Sequence, residues 1–157
     1  MVQNDTNSIR KTLRVLILSL LLFFFTVPHT LEDFTYGEPQ KAGISPQILA
    51  LGVAAVFALQ GLALFWTGRQ LRRGYVLHFA LGILWPFGAG AAQLSEIFAP
   101  GPYRAGVISE VYVFGIIVVG ILLALVSWLS MRGSMEATVT HQNDPLESRR
   151  SAGKPTY

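Results

Sequence analysis

The chain has 157 residues, 52% hydrophobic and only 13% charged. That charged share is about half the soluble-protein average, which excludes an ordinary water-soluble domain. The absence of cysteine rules out disulfides, iron–sulfur clusters, thiolate zinc and thiol catalysis. A net charge of +3 would suggest nucleic acid in a soluble protein, but the basic residues flank apolar runs, where they act as topology signals, so no nucleic-acid partner is expected.

The pattern predicts an all-α integral membrane protein, a four-transmembrane-helix bundle with spans at about 13–30, 47–66, 75–98 and 106–131. Residues 1–12 read as a polar cytoplasmic tail and 132–157 as a second, disordered one. The first run, behind Arg10 and Lys11, is shaped like a signal peptide. It has no small-x-small cleavage site before His29, and so reads as an uncleaved span that Pro28 should end or kink.

The outer loop 31–46 supports two readings. Thr30 and Asp33 fit a helix-start capping box with Gly37 as the stop. Alternatively His29, Glu32 and Asp33, at i, i+3 and i+4, offer one nitrogen and two carboxylates from one helical face, a set suited to a divalent cation or to acid–base work. Ser45-Pro46 then reads as a cap and first helical residue opening the second span.

In that span Ala50, Ala54, Ala58 and Gly61 form a stripe that lets another helix approach closely. Gln60 lies off the stripe and needs a partner on another helix or in its own turn. The short loop with Arg69, Arg72 and Arg73 marks the cytoplasmic side, and Trp66 fits the aromatic belt there.

Along the third span, alternating steps of four and three connect His78, Gly82, Trp85, Ala89, Ala92 and Glu96, with Gln93 beside the last two. This polar face should look inward, leaving Phe79, Ile83, Leu84 and Phe87 for the opposite side. Pro86 among Gly82, Gly88 and Gly90 predicts a kink, and a buried Trp85 requires an acceptor for its indole N–H. In the fourth span Glu110 heads an inward stripe of mainly small residues, Val113, Ile117, Gly120, Ala124 and Ser127.

Of the twelve Lys and Arg residues, all but Lys41 and Arg104 fall in the two tails, in the Arg69–Arg73 loop or, for Arg14, at the edge of the first span next to the N-terminal tail. This places both termini inside, in what reads as a prokaryotic cell (inner) membrane. By helical rise, His29 and His78 lie about 20 Å or more apart in depth and cannot share a metal or haem iron within a protomer. His29, Gln47, Gln93 and Glu110 fall at similar heights, with Glu32, Asp33, Glu96 and Arg104 just above.

The candidate ligand or metal residues are therefore His29, Glu32, Asp33, Gln93, Glu96 and Glu110, with His78 and Trp85 as secondary candidates. The structural alternatives pair Glu110 with Arg104, Tyr103 or Gln93, and His78 with Gln60 or a backbone carbonyl. No catalytic residue or cofactor is specified, and enzymatic activity is left open.

The leading functional reading is a non-catalytic accessory or interaction subunit in the lipid bilayer, packing against itself as a homo-oligomer or against a larger membrane complex through its small-residue stripes. The alternative is an outward-facing His/carboxylate site that binds a metal, proton or small ligand, in a redox enzyme or a small cation or proton carrier.

Overall fold

A computed structural model of the chain describes residues 2–101 and 103–142. Among the described residues the protein is all-helical: α1 (Val2–Thr35), α2 (Glu38–Lys41), α3 (Pro46–Gly68), α4 (Arg72–Trp85), α5 (Leu94–Ile97) and α6 (Val107–Gln142). A π-helical turn, Pro86–Gly90, and a 3₁₀ turn, Ala91–Gln93, join α4 to α5. Three helical stretches are long and apolar enough to cross a membrane, Ser8–Thr35, Pro46–Gly68 and Val107–Arg132, and they mark the chain as a membrane protein.

Several boundaries differ from the sequence expectation. Helix α1 begins at Val2, where a disordered tail was expected. Residues 8–12 are tied down there: the Ser8 hydroxyl donates to Gln70 Oε1 at 3.3 Å, and the Thr12 and Tyr75 hydroxyls pair at 2.8 Å. The helix also runs through Pro28 to Thr35 instead of ending. Proline removes one backbone donor, but His29 and Thr30 beyond it are buried, so packing holds the last turns in line. The capping box expected at Thr30–Asp33 therefore does not form, and the chain turns only at Gly37, whose φ of 73° suits glycine.

Pro46 opens α3 as expected, although the Ser45 hydroxyl bonds Gln47 and not the backbone. At its far end α6 continues as helix to Gln142, past the residues assigned to a disordered tail. The remainder of that tail, 143–157, lies outside the described residues.

The core runs along the axis between the helices. Val15 and Leu22 of α1 meet Ala63 of α3, Leu81 and Trp85 of α4, and Ile116, Val119 and Leu123 of α6. Helices α4 and α6 touch backbone to backbone, because a Cβ on Gly82 would stand 2.6 Å from the Ala124 nitrogen and one on Gly120 would stand 2.4 Å from Pro86 Cγ. Small residues permit this approach, and it consumes the Gly120–Ser127 stripe inside the molecule. The α3 stripe is different: Ala50, Ala54, Ala58 and Gly61 are all exposed.

Apart from Thr30, the residues buried on α1 follow a seven-residue rule, Thr12, Val15, Ser19, Leu22, Thr26 and His29, with Asp33 next in the pattern. Every seventh residue from Thr12 is thus polar, which makes the seam of the longest apolar helix half hydrophilic. Midway, Gln60 donates to the Ser19 carbonyl at 3.0 Å and accepts from the Trp85 indole at 3.2 Å. Gln60 and Trp85 thereby satisfy each other, and the expected Gln60–His78 pair is not formed.

Candidate functional site

At one end of the helices the polar seam of α1 meets the turn before α6. Asp33 is the centre of this cluster. Its Oδ1 accepts from Arg104 Nη1 at 2.6 Å and from Gln93 Nε2 at 2.9 Å, and Gln93 Oε1 accepts from the Tyr103 hydroxyl. Three separate pieces of chain, the end of α1, the 3₁₀ turn and the 101–106 turn, are joined at one carboxylate.

Arg104 is the unusual member. Its side chain is only 5% exposed, and Nη2 also faces Glu38 at 3.3 Å and, more distantly, Glu96 at 3.9 Å. Its backbone sits at φ 41°, a left-handed conformation that a non-glycine residue adopts at a cost of about 1–3 kcal/mol unless its surroundings fix it. Burial works against the guanidinium's charge, but the hydrogen bond and charge of Asp33 outweigh it and hold Arg104 above its ordinary pKa. Beside it, burial pushes the Tyr103 phenol up to about 12, against the opposing charge of Arg104.

His29 lies one turn below Asp33, entirely buried, with Nε2 at 3.7 Å from Asp33 Oδ2. That distance exceeds a hydrogen bond; the ring also approaches the Ala89 backbone carbonyl, but neither nitrogen makes a hydrogen bond of good geometry among the described residues. Glu32 turns the other way, where its Oε1 accepts from Ser109 on α6 at 3.0 Å while Oε2 stays buried and unpaired. The face expected to carry His29, Glu32 and Asp33 is thus divided between two neighbours.

Two cavities adjoin the cluster. A polar one of about 410 Å³ is bordered by Glu38, Lys41, Glu96, Tyr103 and Arg104. An apolar groove of about 430 Å³ runs between α1, α3 and the π turn and reaches Asp33 and Thr30.

Of the sequence candidates, His29, Asp33 and Gln93 come together, Glu32 joins through Ser109, and Glu96 stands 48% exposed at the rim. Glu110 is half-buried on the first turn of α6, and among the described residues its side chain makes no hydrogen bond or ion pair. Arg104 goes to Asp33, Glu38 and Glu96, and Tyr103 and Gln93 are likewise engaged elsewhere. Gln47 is exposed and apart from the cluster.

His78 is fully buried near the other end, both nitrogens without a partner among the described residues. The Phe79–Trp128 contact, with ring centroids 5.5 Å apart, brings it level with Ser127, whose hydroxyl is also unpaired. Trp85 lines the apolar groove and carries no chemistry beyond its bond to Gln60. Among the described residues no three His, Cys, Asp or Glu side chains form a metal-holding group.

Sequence reasoning placed Arg104 at the height of the cluster but not among the ligand candidates, offered Tyr103 only as a partner for Glu110, and did not single out Ser109. The available signal was that Arg104 is the lone arginine on an otherwise acidic side, with Tyr103 next to it. Compared with known protein families, with curated proteins and with solved structures, the chain finds no match.

Proposed function

We propose that the chain crosses the membrane four times, the broken stretch from Arg72 to Ile97 included, with both termini on the cytoplasmic side. Its working part is then the polar chamber at the outer end, which binds a small hydrogen-bonding ligand. The observation that carries this reading is His29, wholly buried beside Asp33 and without a side-chain hydrogen bond among the described residues, its nearest polar neighbours being Asp33 Oδ2 at 3.7 Å and the Ala89 backbone carbonyl. A polar ring so poorly satisfied inside a membrane protein is costly, whereas a ligand that supplies well-formed hydrogen bonds removes the cost. The convergence of Gln93, Tyr103 and Arg104 on Asp33 holds the chamber in one geometry, the preorganisation a binding site needs.

The test is native mass spectrometry of the full-length protein released gently from its membranes. A bound small molecule of fixed mass is expected, and it should be lost from the double variant Asp33→Asn, His29→Gln. Bare protein in both samples overturns the ligand reading. Orientation is tested separately in this cysteine-free chain: a cysteine at Glu38 should react with an impermeant maleimide on intact cells, and one at Arg69 only after permeabilisation.

One observation favours the accessory-subunit reading as a second. The small-residue stripe of α3 is open, and only 11% of that helix's most apolar window is buried. Under this reading α3 seats a second copy or a larger partner, and disulfide cross-linking between cysteines placed at Ala54 would trap the homo-oligomer.

A further inference from the structure

The outer chamber opens sideways as well as outward. The apolar groove follows α3 from Ile48 to Val56, about 12 Å of helix, with Trp85 and Gly88 on its other wall and Thr30 and Asp33 at one end. Its mouth faces the lipid side, since Ile48 is 68% exposed and Leu84 48% exposed. Its volume of about 430 Å³ is within the range of small-molecule sites, about 300–1,000 Å³, and its lining is almost wholly apolar apart from that end.

The charge around the polar end is one-sided. Among the described residues Glu32, Asp33, Glu38 and Glu96 stand against Lys41 and Arg104 alone. Asp33 Oδ1 is committed to Arg104 and Gln93, but among the described residues Oδ2 has only His29, too far for a hydrogen bond, and so can accept from a ligand. Arg104 Nε and Nη2 are buried donors without a hydrogen bond among the described residues, but Nη2 already faces Glu38 and Glu96, and the surplus of carboxylates repels an anionic head. A cationic donor finds both an acceptor and a surplus of negative charge.

We infer that the groove takes a single-chain amphiphile with a protonated amine head, drawn from the outer leaflet, the alkyl chain lying along α3 against Trp85 and the ammonium donating to Asp33 Oδ2. This rests on the outer-chamber reading above and adds the ligand's chemical class and its lateral route. Phe34 at the groove's polar end supplies an aromatic face of the kind cations favour.

The test uses the full-length protein carrying Trp66→Phe and Trp128→Phe, both remote from the groove, so that Trp85 is the sole indole. Its fluorescence is titrated with 12-bromododecylamine and with 12-bromododecanoate, bromine quenching only on close approach. Saturable quenching by the amine is expected at a concentration at least ten-fold lower than by the carboxylate. Asp33→Asn should bring the two within about two-fold.

Because Asp33 also holds Arg104, the variant Glu96→Gln serves as a second probe and should narrow the preference without touching the Asp33–Gln93 and Asp33–Arg104 bonds. Gly88→Leu should abolish saturation by both, since a Cβ there meets nothing within 4 Å and the new side chain grows into the groove. Equal quenching by both probes that survives Gly88→Leu overturns the groove. Saturable quenching lost with Gly88→Leu but showing no amine preference overturns the head-group assignment. Quenching that falls as protein concentration rises overturns the inference in favour of a second copy. A bound molecule in the mass spectrum without amine binding sinks this inference alone, whereas bare protein there sinks the chamber itself.

Discussion

The two ends of the helix array hold their arginines in opposite ways. At the Tyr75 end, Arg69, Arg73 and Arg132 lie over the rings of Phe65, Trp66 and Trp128, with guanidinium carbons 4.4, 4.3 and 4.6 Å from the centroids. Each pair stands alone and Arg73 is exposed, the arrangement of an interfacial belt. At the other end a single arginine also lies over a ring, that of Tyr103 at 5.1 Å, but is drawn inward and shared among Asp33, Glu38 and Glu96. Independent surface contacts tolerate loss one at a time. A buried charge with several partners does not, because removing it leaves the partners desolvated and unpaired.

The contrast is sharpest in Arg104→Leu, which should cost about 3–5 kcal/mol, the penalty for breaking a buried ion pair from one side. Unfolding in mixed micelles of rising sodium dodecyl sulfate would measure it, and a loss below 1 kcal/mol would mean that water or lipid heads already satisfy Asp33. Gln60→Leu strips the Trp85 indole and the Ser19 backbone of their partner, in a seam that carries no charge. About 1 kcal/mol is expected there, since polar pairs in membrane interiors contribute modestly. Arg73→Ala should stay within about 1 kcal/mol of the parent protein. If it matched Arg104→Leu, the distinction between belt and network would be wrong.

The helices were legible in the sequence because apolar length and arginine placement are local signals, and the inward face His78, Gly82, Trp85 and Ala89 is buried as its spacing implies. The same spacing fails beyond Ala89 because the π turn at Pro86–Gly90 changes the register. Gln93 is left inside and Glu96 at the rim, where a straight helix would have turned both inward. Helix α1 carried a signal that went unread: Thr12, Ser19, Thr26 and Asp33 recur every seven residues and mark its buried seam. The Arg104–Asp33 pair had no local signal, since its members are 71 residues apart and meet only when α1 and the turn before α6 fold to one end.

The smallest effect isolates the network from its charges. Tyr103 donates to Gln93, which donates to Asp33, so its phenol is buried and bonded as a neutral group. Its folded pKa stands at about 12 against an ordinary 10.0. Below about pH 10 both folded and unfolded chains keep this proton, and the full stability is present. Between 10.0 and about 12 the unfolded chain ionises first, so the contribution of Tyr103 declines as pH rises through that window. The difference in phenolate absorbance between the parent and Tyr103→Phe should therefore appear near 12 and not near 10.0. Over the same range the parent should lose stability more steeply than the variant. A difference spectrum centred on the ordinary value would mean that water reaches the hydroxyl, and the link from Tyr103 through Gln93 to Asp33 would then be open where a preorganised chamber requires it closed.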